Sequence, residues 1–185
     1  SAVATLLSNA PTNASAVMVT DERFVFCLGA GGNPQKIQWS DRENSNLWAP
    51  AITNQAGDIE LQTTGKIMCG VRVKGSALII TTSDAHTATY AGPPFVYSFD
   101  RVGSSCGIVS RQAVVAVDQG AFWMGTGGFY QFNGNSVQEM PCDVLDYVFT
   151  SLNSAQRSKV CAIHNSQFGE IWWFYPSSAS NENDR

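Results

Sequence analysis

Chemistry needs side chains that trade protons, attack a substrate or hold a metal, so the histidines, cysteines and carboxylates of this chain come first. The histidines are His86 and His164. A metal ion requires several ligands converging on one point, and neither histidine has a second ligand at helical spacing, as an HExxH pair would supply. His86 reads as a turn residue and His164 as one near a hairpin end, so both are expected at the surface or in ordinary hydrogen bonds. Cys106 beside Gly107, with a distant histidine, has the composition of a thiol nucleophile, but Gly103-Ser-Ser-Cys-Gly107 reads more simply as a glycine-rich turn. No GxSxG elbow and no phosphate-cradling P-loop occurs.

Two carboxylates within about 5–10 Å of each other would suit glycoside hydrolysis. Asp58, Glu60, Asp84, Asp118 and Glu170 all lie in or near expected turns, but sequence brings no two together, and they read as solvated turn residues. Asp118-Gln-Gly-Ala-Phe-Trp123 resembles the Asp-box of sialidase-like propellers, DxGxxW, without the Ser two residues before the Asp or the Thr before the Trp. In those families the box is a hairpin feature, not a catalytic one. Trp39, Trp48, Trp123, Trp172 and Trp173 have the chemistry of a stacking platform for sugars or bases, but packing between sheets is the expectation for Trp123 and Trp172. Trp172 and Trp173 are consecutive, so on a strand they face opposite ways; one of them lies between sheets or meets a partner. No catalytic, cofactor-binding or metal-binding residue is assigned, no cofactor is implied, and the chain is read as non-enzymatic.

The elements that would position such residues are short. Arg23–Gly29, Ala77–Ser83, Ala121–Gly127 and Glu170–Pro176 are apolar runs that each close in a breaker or small residue, and they recur every 44 to 54 residues. That period is the signature of β-propeller blades and related arrays. Between them, Ala16–Thr20 and Arg23–Leu28 read as a hairpin around Asp21-Glu22, and Lys36–Ser40 and Ile59–Thr63 as short strands. Ile67–Val73, Ala77–Thr82 and Thr87–Tyr90 form one meander, with Ser83–His86 as a turn and Phe95–Val102 beyond the Gly92-Pro-Pro94 break. Val114–Val117, Ala121–Gly125 and Phe129–Phe132 form another, followed by a type I′ signal at Asn133-Gly134 and the strand Val137–Met140. Lys159–His164 and Glu170–Tyr175 form the last hairpin. One region is helical by period: Asp143–Leu152 puts Val144, Leu145, Val148, Phe149 and Leu152 on one face, with Asp143 as a cap, and Asn153 begins a second short helix.

The fold class expected is therefore mainly β: antiparallel meanders of β-propeller type with one short helical insertion at about 142–159. Residues 1–15 read as a linker or extended arm and residues 16–185 as blades, within what reads as a segment of a longer polypeptide. The chain has 185 residues, 44% of them hydrophobic and only 14% charged, with a net charge of −4. So sparse a charge suggests a surface that faces other protein, and the acidic balance argues against a dedicated nucleic-acid binder. The five cysteines form no CxxC pair, and an odd number fits poorly with a disulfide framework; buried free thiols in a reducing compartment are expected. No apolar run is long enough to span a membrane.

One ordered combination is more particular: Lys36–Pro50 (KIQWSDRENSNLWAP), Asn54-Gln-Ala-Gly-Asp58, Gly65-Lys-Ile67, Ala77-Leu-Ile-Ile80, Tyr90-Ala-Gly-Pro-Pro-Phe95, Arg101-Val-Gly-Ser-Ser-Cys-Gly107 and Gly127-Gly-Phe-Tyr-Gln-Phe-Asn-Gly134. From about Val17 onward this resembles the β-propeller tail proteins of short-tailed bacteriophages, the tail nozzle or hub (tail tubular) subunits below the portal and adaptor. The resemblance implies a virion structural protein of the phage tail, assembled in the host bacterial cytoplasm. Its partners would be copies of itself in a ring, often a hexamer, the portal, adaptor and other tail proteins, and double-stranded DNA passing through the lumen without specific binding. A whole subunit of that family is several times longer, so this chain would supply some of the blades. Loops Asp41–Asn46 and Gly92–Phe95 are the expected contact points, with Asp41, Arg42, Asn46, Trp48, Pro93, Pro94 and Phe95 as candidate subunit contacts. The alternative is a carbohydrate-binding or glycan-cleaving propeller acting in host receptor recognition, and a third reading is a cellular propeller scaffold.

Overall fold

The computed structural model describes residues 7–118 and 120–185. The first six residues of the expected arm, and Gln119 of the Asp-box-like hairpin, lie outside them. The protein is mainly β. Strands β1 (Ala16–Val19), β2 (Val25–Leu28), β3 (Lys36–Trp39) and β4 (Gly57–Glu60) form the first sheet. The second holds β5 (Ile67–Val73), β6 (Ser76–Thr81), β7 (Asp84–Gly92) and β8 (Val96–Ser104). The third holds β9 (Val114–Val117), β10 (Gly120–Met124), β11 (Phe129–Phe132) and β12 (Val137–Met140). A final hairpin, β13 (Cys161–Asn165) with β14 (Glu170–Phe174), makes a fourth, two-stranded sheet. Within each sheet every strand neighbours the next in sequence, and every pairing within the sheets is antiparallel. The four recurring apolar runs hold β2, β6, β10 and β14, and each of these is the second strand of its sheet.

Packing between sheets follows strand alternation. β1 lies against β5, β5 against β9 and β9 against β13, so the first strand of each sheet meets the first strand of the next. On β6, Ala77 and Ile79 enter one core with Met18, Phe26, Leu28, Ile37 and Trp39 of the first sheet. Leu78 and Ile80 point the other way, into a second core with Ala121, Trp123, Phe129 and Phe132 of the third. Leu78, Ile79 and Ile80 are fully buried, and each such side chain contributes about 1.5–3 kcal/mol of hydrophobic stabilisation. β6 carries the continuous apolar run Ala77–Ile80 because both of its faces are covered.

The helical insertion falls where the period places it, as α1 (Leu145–Ser151) and a 3-10 segment, Ser154–Lys159. Leu145, Val148, Phe149 and Leu152 pack on the second core. Val144, expected on that face, is instead exposed and is the N-cap residue, with no side-chain cap from Asp143. Asn153 does cap the next segment, its side chain accepting from the Ala155 N–H.

Several expected boundaries move. Ser83–His86 is not a turn, because β7 begins at Asp84 and His86 sits within it, buried. Arg23 lies in the β1–β2 turn at φ 71° rather than in a strand. Asn133-Gly134 belongs to a four-residue connection, since Phe132 pairs with Val137. There the Asn133 side chain accepts from the N–H groups of Asn135 and Ser136 and builds its own turn. In the Asp-box-like hairpin, Gly120 has φ 137°, and a Cβ there would collide with the Phe132 carbonyl oxygen. Close approach of β10 to the end of β11 thus requires a glycine.

Candidate functional site

The most concentrated polar chemistry is buried where the second sheet turns. Asp84 is buried, and its carboxylate accepts from the Thr81 hydroxyl at 2.5 Å and from Thr63 Oγ1 at 2.8 Å. Thr63 belongs to the β4–β5 link and also takes the Gly65 N–H, while the Cys106 N–H of the β8–β9 link donates to the Ser83 carbonyl. One carboxylate and its turn thus tie both links to neighbouring sheets. Burial alone would raise the Asp84 carboxyl. Hydrogen bonds from Thr81 and Thr63 and the nearby His86 imidazole outweigh it and hold Asp84 below the ordinary carboxylate range. His86 Nε2 lies 3.3 Å from Asp84 Oδ1, but it makes no aligned hydrogen bond.

Cys106, buried beside this cluster, is not set up as a nucleophile. Burial first, and then the Asp84 carboxylate, push its thiol up to about 11, so the reactive thiolate is scarce. Gly107 follows because a Cβ there would strike the Thr82 carbonyl. The cluster is a structural knot between sheets. Asp58 pairs with Lys36 at 3.0 Å across the first sheet, Asp118 is exposed in a turn, and Glu170 accepts from the Trp172 indole at 2.9 Å.

Four of the five indoles are spent on main-chain carbonyls: Trp39 on Gln55, Trp48 on Ser45, Trp123 on Cys106 and Trp173 on Ala113. Trp48 is buried, packed with Cys27 and Ala30 against the outer face of the first sheet. Its surface is not available to a partner, which corrects its reading as a subunit contact. Trp123 packs between sheets as expected. Trp172 does not: it is 44% exposed, and Trp173 is the member of the pair that reaches the core.

The remaining contact candidates gather at one end of the molecule. The Asp41 carboxylate accepts from the Gln55 N–H, and Gln55 Oε1 accepts from the Tyr90 hydroxyl at 2.9 Å, so the β3–β4 loop meets the base of the β7–β8 tip. Arg42 and Asn46 are exposed on that loop, and Pro93, Pro94 and Phe95 on that tip, whose Pro93–Pro94 bond is cis. Phe95 is 80% exposed, and Ile52 on the loop is fully exposed. Sequence reasoning placed the loops but missed Ile52, which lies in a stretch without periodicity.

Among the described residues, no three His, Cys, Asp or Glu side chains cluster as a metal ion would need, and no helix is long and apolar enough to cross a membrane. No protein-family model matches the chain, and no curated protein matches it in sequence.

Proposed function

We propose that this chain is part of a structural protein of a bacteriophage virion, a nozzle or hub subunit of a short tail that forms a ring below the portal and adaptor. The observation that carries the reading is the serial array: like meanders in which each first strand packs on the next. Sheets stacked in that manner curl around an axis, as propeller blades do. Of the residues behind the resemblance, Lys36–Trp39 form β3, Tyr90–Phe95 span the end of β7 and the β7–β8 tip, and Arg101–Gly107 lead into the link between the second and third sheets.

The chain would act through protein contacts and not by catalysis. Exposed apolar tips at Ile52 and Phe95, on one end of the array, suit contact with neighbouring subunits. A net charge of −4 with only 14% charged residues suits a channel wall along which DNA slides, since a basic wall would bind phosphates by counterion release. Free thiols suit assembly in a reducing bacterial cytoplasm.

Particle imaging of the native assembly tests the reading. A ring attached to a portal complex, with these sheets in each subunit, is the expected result. A free monomer with a closed propeller and an open pocket would overturn it. Glycan screening, with Asp118→Ala and Glu170→Ala as controls, would then follow.

A further inference from the structure

The connection between β11 and β12 sets a reactive carboxamide beside an unguarded nitrogen. Asn133 is followed by Gly134, the only Asn-Gly step in the chain, and both residues are exposed. The Asn133 carboxamide is held by its oxygen alone. Oδ1 accepts from the N–H groups of Asn135 and Ser136, each at 3.0 Å, while Nδ2 bonds no group among the described residues. Gly134 is bare: its N–H finds no acceptor among the described residues, and nothing lies within 4 Å of where a Cβ would stand. Other asparagines lack such a free neighbouring nitrogen. Asn33 is followed by Pro34, which has no N–H. The Gln55 N–H after Asn54 is spent on Asp41, and the Ser136 N–H after Asn135 is spent on Asn133 itself.

We propose that Asn133 is a self-modification site, which converts to aspartate through a cyclic imide formed with the Gly134 nitrogen and opened by water. The Gly134 N–H gives its proton to solvent, and the nitrogen bonds to Asn133 Cγ. Negative charge gathers on Oδ1, where the Asn135 and Ser136 N–H groups already stand, as the donors of an oxyanion hole do. The Cγ–Nδ2 bond then breaks, and the nitrogen takes up a proton and leaves as ammonia. Water adds to one of the two imide carbonyls. Release of the Gly134 nitrogen from Cγ gives aspartate and restores the main chain. Release from the main-chain carbonyl gives isoaspartate, with the chain rerouted through the side chain. The sum is amide plus water to acid plus ammonia, with nothing oxidised or reduced.

The fold selects between the two products. An aspartate carboxylate keeps both N–H bonds, now charge-assisted. Isoaspartate puts an extra backbone carbon into a connection whose ends are fixed by the Phe132–Val137 pairing and by the Asn133 N–H bond to the Ser136 carbonyl. Isoaspartate also closes again to the imide, so repeated opening enriches aspartate. The product adds a negative charge to a chain already at −4. The inference stands apart from the virion reading, because it needs only this turn.

Peptide mass spectrometry on the full chain, aged in warm and mildly alkaline buffer, tests it. The Asn133 amide is expected to be lost at least about tenfold faster than that of any other asparagine, with aspartate exceeding isoaspartate. The same chain aged in urea, where no turn selects, should shift toward isoaspartate. Gly134→Ala crowds the attacking nitrogen and should slow the loss at least about tenfold, whereas Asn135→Ala keeps its N–H and should leave the rate unchanged. An Asn133 amide that survives in the folded chain, or is lost no faster than another, overturns the site. An undiminished rate in Gly134→Ala overturns the imide route, and equal product ratios with and without urea overturn selection by the turn.

Discussion

The hydroxyls of Thr20 and Tyr97 meet at 2.8 Å inside the junction of the first and second sheets, although the two residues are 77 positions apart in the chain. The Tyr97 hydroxyl donates a hydrogen bond to the Glu22 carboxylate at 3.0 Å, so Thr20 is the donor between Thr20 and Tyr97. The Tyr97 ring meets Phe24 and Phe26 edge-on, with centroids 5.3 and 4.8 Å away. One phenol thus closes the β1–β2 turn against β8.

Tyr97→Phe leaves the buried Thr20 hydroxyl short of a partner and should cost about 1–3 kcal/mol in urea unfolding. A double-mutant cycle with Thr20→Val should show coupling of about 0.5–3 kcal/mol. Burial first, and Glu22 as well, raise the phenol far above its usual range. A raised phenol stabilises the fold below the ordinary tyrosine range, and that share is lost as alkali approaches the raised value. Tyr97→Phe should therefore remove the latest phase of an alkaline absorbance titration.

Asp84→Asn replaces a carboxylate that accepts two threonine hydroxyls, and it should destabilise the protein by about 2–3 kcal/mol. The folded carboxyl lies below its unfolded value, so its contribution is complete above the unfolded range near 4 and is lost as pH falls through the folded value. Thermal melts from pH 7 to pH 2 should show a loss of stability in acid that the variant shares only in part.

The thiols should divide into two classes. Cys27, Cys69 and Cys106 are buried and free, and burial raises all three, Cys69 to about 12 and Cys106 to about 11. Cys142 and Cys161 are only partly buried. A colorimetric thiol reagent at neutral pH should therefore modify two of the five cysteines quickly, and the other three only on unfolding.

Gly120→Ala forces a side chain onto φ 137° and against the Phe132 carbonyl. A loss of about 1–3 kcal/mol is expected. Gly127→Ala, where a Cβ meets nothing, is the control and should change the melting temperature by little.

Much of the fold was legible because its signals are local. Ile67–Val73, Val114–Val117, Phe129–Phe132 and Val137–Met140 are strands with the bounds that their apolar pattern and flanking turn residues indicate. The spacing of the recurring runs was legible too, but not that each is a second strand, since that depends on pairing partners. Asp84 and His86 were misplaced because Thr-Ser-Asp-Ala-His has the composition of a turn. The partner that makes a buried strand tolerable for Asp84 is Thr63, 21 residues away. Trp48 read as a contact for a similar reason: an indole in a polar loop shows its destination only when Cys27 and Ala30 arrive beneath it. Ile52 had no local signature at all.

On β6, odd-numbered side chains enter one core and even-numbered ones the other. Parity along a single strand therefore decides which half of the molecule feels a substitution. Enlarging Ala77 presses into the core shared with the first sheet, while trimming Ile80 loosens the core on the Trp123 side. Each sheet negotiates with its immediate neighbours, so the molecule behaves as a short chain of links, and its stability as a sum over adjoining pairs. The middle link is the one that cannot be spared: if β6 opens, two half-proteins are left, each with one wall of its interior missing.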